Sequence, residues 1–181
     1  FVNFVKAQIS GFGELETDLE VNSNRITSLI NSDLSWYASA RYYNDDDTAI
    51  GTGPMPPQVG RATTIHIIWR LTSSSHEINA LKVSGKLPAI VEWTGKTRTD
   101  AGNLNYDTTS REVTWTLDEL NKGVGTIEAD FEISITPTFD ELNKIILLMQ
   151  GAELTALDKD TNGKIELDGK PLTSDLEDDP V

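Results

Sequence analysis

Apolar and polar residues alternate one by one through segment after segment of this chain. In Ala62–Leu71 the residues Ile65, Ile67, Trp69 and Leu71 hold one parity, and Thr64, His66, Ile68 and Arg70 hold the other. Successive side chains leave a strand on opposite faces, so this run predicts a strand with one core-facing side. Thr126–Thr136 repeats the design: Ile127, Ala129, Phe131, Ile133 and Ile135 oppose Glu128, Asp130, Glu132 and Ser134, and Pro137 stops the run. Leu34–Tyr43, Leu81–Leu87, Ala89–Trp93 and Val113–Leu117 read the same way. Trp36, Trp69, Trp93 and Trp115 each fall on the apolar parity of a different segment, as four core anchors.

The connections are punctuated. Gly53–Gly60 holds three prolines, which lack the N–H a central strand needs, so it reads as an ordered crossover. Lys96–Asp107 is polar and reads as a long loop, and Asp118–Asn121 as one helical turn before Gly123. Ile145–Met149 is continuously apolar, predicting either a strand buried on both faces or a short buried helix. A closing hairpin is expected from Leu154–Leu157, the turn Asp158–Gly163, and Lys164–Leu167. At the start, Phe1–Lys6 alternates weakly. Leu15, Thr17, Leu19 and Val21 then oppose four acids and end at the turn Asn22-Ser23-Asn24. The sum is all-β, a two-sheet antiparallel β-sandwich of nine to eleven short strands. Residues 1–24 are expected as an N-terminal strand extension and 25–181 as the sandwich.

Composition narrows the setting. A formal charge of −14 repels nucleic acid and anionic membrane alike. Absence of cysteine removes disulfides and thiolate metal sites. No apolar run is long enough to span a bilayer as a helix. A first residue Phe1 instead of Met fits a processed chain or an excised piece.

One ordered set of motifs looks familiar. Gly53-Pro54-Met55-Pro56-Pro57, Thr63-Thr64-Ile65, Trp69, Leu87-Pro88, Val91-Glu92-Trp93-Thr94-Gly95, Tyr106-Asp107, Val113-Thr114-Trp115 and Phe131–Pro137 resemble the Ig-like repeat domains of large bacterial cell-surface proteins. Leu154–Asp158 with Thr161-Asn162-Gly163 continues the pattern, so the match covers roughly Leu34 to Pro180. The resemblance implies an Ig-like, non-catalytic extracellular module set in a stalk, filament or surface layer. It carries no catalytic residue over.

The residues themselves offer one motif with a mechanism. Asp158, Asp160, Asn162, Lys164 (through its carbonyl), Glu166 and Asp168 place oxygens at alternate positions around Gly163, as the first half of an EF-hand loop does for Ca²⁺. The departure is Gly169 at the twelfth position, where that loop needs a bidentate Glu. The competing reading is an acidic hairpin turn with Asn162-Gly163 at positive φ. Two histidines, His66 and His76, are the only neutral-pH bases, and no nucleophile elbow or phosphate-cradling loop accompanies them. Some bacterial sandwiches carry a Lys–Asn or Lys–Asp isopeptide bond, for which Lys82 and Lys144 are conceivable donors.

These features predict a non-enzymatic structural or adhesive module at the cell surface. Its expected partners are neighbouring domains or identical subunits, with Phe1–Lys6 either an edge strand of its own domain or a strand to be added to a neighbour. The alternative is a carbohydrate-binding module, which requires exposed rings side by side, with Tyr37, Tyr43 and Tyr106 as candidates.

Overall fold

The computed structural model describes residues 33–72, 75–177 and 179 in full, and the backbone of four short strands before them. The chain divides into two units, Phe1–Asn31 and Ser32–Val181. In the first, β1 (Val2–Asn3) pairs antiparallel with β4 (Ile26–Thr27), and β2 (Lys6–Ile9) pairs with β3 (Leu19–Asn22). Because β4 returns to β1, this unit runs past residue 24. The described part of Phe1–Lys6 is paired inside its own unit. Leu15, Thr17 and most of the Asn22–Asn24 turn lie outside the described residues.

The second unit is the β-sandwich. One sheet has the order β5 (Ser35–Arg41), β6 (Thr63–Thr72), β11 (Thr126–Ile135), β8 (Val91–Thr99). The other has the order β14 (Lys164–Asp168), β13 (Glu153–Asp158), β7 (Ile78–Lys86), β10 (Glu112–Leu120), β9 (Asn103–Asp107). A small pair, β12 (Leu147–Met149) with β15 (Leu172–Thr173), completes the unit. All pairings are antiparallel, and the central ladder aligns ten residues of β6 with ten of β11, Thr63↔Ile135 through Thr72↔Thr126.

Periodicity becomes packing along that ladder. Ile65, Ile67, Trp69 and Leu71 from β6 and Ile127, Ala129, Phe131, Ile133 and Ile135 from β11 are all buried. The second sheet answers with Leu81, Val83, Val113, Trp115, Leu154 and Ala156, also buried. Removing this much apolar area from water is the dominant favourable contribution to such a fold, at about 25 cal/mol per Å². The tryptophans divide into two classes. Trp69 and Trp115 are fully buried, whereas Trp36 and Trp93 are partly buried and packed against the core. An aromatic chain runs outward from the centre. Trp69 meets Phe131 edge-on at 5.2 Å, Phe131 meets Trp93 at 5.2 Å, and Trp93 stacks on Tyr106 at 4.9 Å. Trp93 is on β8 and Tyr106 on β9, the outer strands of opposite sheets, so the stack closes one side of the sandwich.

Three expectations are corrected. Lys96–Asp107 is no loop: β8 continues to Thr99, bulging near Gly95, and turns tightly into β9. The turn needs Gly102, at φ 79°, because a Cβ there would lie 2.3 Å from the Thr116 carbonyl oxygen. Asp118–Leu120 extends β10 instead of forming a helical turn, pairing Glu119 with Asn79 and Leu120 with Ile78. Ile145–Met149 is neither a doubly buried strand nor a helix. Leu148 and Met149 are buried, but Ile145 and Leu147 are exposed. The helical content of the described residues is one 3₁₀ turn, Phe139–Glu141.

Candidate functional site

Polar chemistry concentrates on the outer face of the β6–β11 ladder. His66 stands opposite Glu132, Arg70 opposite Glu128, and Asp130 opposite Arg98 of β8. His66 Nδ1 lies 2.7 Å from Asp130 Oδ1 and its Nε2 3.7 Å from Glu132 Oε2. The Asp130 hydrogen bond, aided by both negative charges, raises the His66 pKa against the opposing effect of partial burial. Glu132 is buried (3% exposed) and receives Lys96 Nζ at 3.0 Å. Burial alone would raise its pKa, but Lys96, Thr94 and His66 together hold it below the usual carboxylate range. Arg70 Nε donates to Glu128 at 2.7 Å. A general base needs an available lone pair near its substrate. Here both ring nitrogens of His66 face acids, so the arrangement favours the imidazolium and serves as a cross-strand brace.

The second histidine is similar. His76 Nδ1 lies 2.7 Å from Asp158 Oδ2, and that hydrogen bond raises the His76 pKa. Asp158 is fully buried, and its Oδ1 accepts from the Asp160 and Thr161 amides at 2.9 and 3.0 Å. These bonds form an Asx turn that shapes the β13–β14 hairpin, with Asn162 at φ 55°. Of the six residues expected around a cation, Asp158, Asp160 and Asn162 share this turn. Lys164, Glu166 and Asp168 run away from it along β14, where each residue advances about 3.3 Å. Lys164 and Glu166 pair with each other, and Asp168 lines a groove described below. Among the described residues no three His, Cys, Asp or Glu side chains are gathered to hold a metal. Lys82, a conceivable isopeptide donor, is exposed and faces Glu112 at 3.7 Å. Lys144 is exposed as well.

Two concave surfaces stand apart from these pairs. The first, about 600 Å³, runs beside β5, between Trp36, Ala38 and Ala40 on one wall and the 168–177 segment on the other. The second, about 590 Å³, lies among Pro56, Pro57, Val59, Pro137 and the 139–146 segment. Around it Phe139 is 81%, Leu142 54% and Ile145 65% exposed, so the three most exposed large apolar side chains among the described residues are clustered here. Phe139 is held on a capped turn. Thr138 Oγ1 accepts from the Asp140 amide, while Glu141 Oε2 accepts from the Thr138 amide at 2.8 Å and from its hydroxyl. Neither groove is lined by His66 or His76. Of the three tyrosines suggested for sugar stacking, only Tyr37 is exposed. Tyr106 lies against Trp93 and Tyr43 against Tyr42. Sequence reasoning missed both grooves, although Phe139, Leu142 and Ile145 recur every third residue, the spacing of a 3₁₀ face.

Comparison with known proteins adds the fold and stops there. No protein-family model matches the sequence. No curated protein matches it either. Among solved structures, a variant of BcpA, the major pilin subunit of Bacillus cereus, superposes with a TM-score of 0.58 at 12% identity, covering 93% of this chain and 47% of that one. BcpA itself gives 0.54 at 12% identity, covering 87% and 49%. The full-length major pilin SpaD of Corynebacterium diphtheriae gives 0.49 at 12%, covering 77% and 35%. The chain thus spans about half the length of the BcpA chains it resembles. Among the described residues no helix is long and apolar enough to cross a membrane.

Proposed function

We propose that this chain is a non-catalytic structural or adhesive module, Ig-like in type, displayed outside a bacterial cell in a filament or surface layer. The observation that carries the reading is the rigid apolar end of the sandwich. Phe139 and Leu142 are presented to water on a capped turn, Ile145 is exposed just beyond it, and three prolines flank the set. Patches of this kind on a charged, soluble surface mark docking sites, because leaving them wet has a cost that a partner removes. The pilin-like fold supports the setting, and the paired state of both histidines supports the absence of catalysis. In this reading the module meets a neighbouring domain or subunit through the 137–146 end. The Asp158–Asp168 segment serves as a hairpin without needing Ca²⁺.

The test has two arms. Antibodies raised against the folded chain are expected to label intact, unpermeabilised cells of the source organism; staining confined to permeabilised cells overturns the setting. A Phe139→Asp, Ile145→Asp double variant is expected to keep the native thermal transition and lose retention in the native assembly. Unchanged retention overturns the docking role.

A further inference from the structure

The 137–146 end carries a charge pattern as well as an apolar one. Phe139, Leu142 and Ile145 line its groove together with Pro56, Pro57 and Val59. Acids border them: Glu141 and Asp175 also line the groove, and Asp140 is exposed on the same turn. The Thr138 hydroxyl and amide both donate to Glu141 and hold its pKa below the usual carboxylate range, so it stays charged. Asp175 accepts from the Thr173 hydroxyl, which leaves its charge in place. Among the described lining residues Lys144 is the one cation. The end is thus apolar with an acidic border, and the exposed ring of Phe139 offers a face that attracts cations. A second copy of this chain, with its formal charge of −14, would bring further repulsion to that border.

We propose that this end takes a basic amphipathic segment of a partner protein, with apolar side chains over Phe139, Leu142 and Ile145 and Lys or Arg at the acidic border. The apolar contacts supply affinity, because they remove from water side chains that the fold leaves wet. The border sets the sign of the partner's charge and rejects an acidic competitor, since like charges across an interface are unfavourable. This inference rests on the docking role proposed above and adds to it the chemistry of the partner.

The probes are three matched amphipathic peptides, with leucine on one face and lysine, glutamine or glutamate on the other. Each is titrated into the isotopically labelled full chain, with amide NMR shifts to locate binding and calorimetry to measure it. The lysine peptide is expected to bind with shifts confined to residues 58–59 and 139–146, and to weaken on raising salt. The double variant Asp140→Asn, Asp175→Asn is expected to weaken it about fivefold with an unchanged thermal transition. Phe139→Ser, Ile145→Ser is expected to abolish it, again without unfolding the chain. If the glutamine or glutamate peptide binds at least as well at the same residues, the charge inference falls and the docking role stands. If the lysine peptide binds the serine variant equally, or the shifts lie elsewhere, its binding is charge adsorption and the inference falls. Self-association that the serine variant loses assigns the end to a second copy and overturns it too. If no peptide binds at millimolar concentration, the inference is overturned, and the retention of the Phe139→Asp, Ile145→Asp variant in the native assembly decides the docking role by itself.

Discussion

The β6–β11 ladder and the 137–147 end are both rich in Ile, Leu and Phe, yet they end up in opposite environments. On the ladder's inner face Ile67, Trp69, Phe131 and Ile133 are wholly buried, each held by a partner strand on either side. At the end, Phe139 and Leu142 stand on a capped turn with Ile145 just beyond it, and all three stay in water. Composition alone does not separate them. What differs is whether the backbone period aims the side chain at the facing sheet. Where it does, apolar residues stabilise the fold; where a turn aims them outward, they remain available to something else.

The comparison yields a graded set of expectations. The largest effect belongs to the inner face. Trp69→Ala should cost roughly 3–5 kcal/mol, lowering the melting temperature by roughly 6–20 °C. A drop of a degree or two by calorimetry would mean that the ladder is not the core. The outer face of the same strands sits in the middle. Both histidines have folded-state pKa values above 6.5, so their stabilisation is complete below that value and is lost as pH rises through the raised one. The melting temperature should therefore fall as pH rises above 6.5 and through the raised values. His66→Gln and His76→Gln together should flatten that slope. An unchanged slope in the double variant would assign the pH dependence elsewhere. The smallest effect belongs to the end: Phe139→Ala should change stability by no more than about 0.5 kcal/mol. A loss above 2 kcal/mol would show Phe139 to be core after all, and the contrast would collapse.

Sequence legibility follows the same division. β6 and β11 could be read because burial on one face imposes a strict period of two on ten consecutive residues. β8 beyond Gly95 and β9 could not. Both are outer strands, Lys96, Arg98 and Thr94 face solvent, and only Leu104 and Tyr106 on β9 keep a trace of the alternation. β15 has two residues and carries no period at all. At Asp158 the residue types were legible but their job was not. An aspartate at a turn, two residues before another, suits an ion or an Asx turn equally. His76, far off in sequence, is one of the partners the structure gives this carboxylate, and no local pattern announces it. The grooves were illegible for a further reason. Each is formed by segments more than 70 residues apart, and no local pattern encodes that proximity.

The Asp179 carboxylate accepts hydrogen bonds from the Tyr42 amide at 2.9 Å and the Tyr43 amide at 3.0 Å. It thereby fastens the end of the sandwich unit to the far end of β5, the strand by which the chain enters it. Two neighbouring amides just past β5 thus find their acceptor 137 and 136 residues further along the chain. Loss of that single carboxylate would leave both amides to find other partners and would loosen the closing segment from the strand that opens the unit.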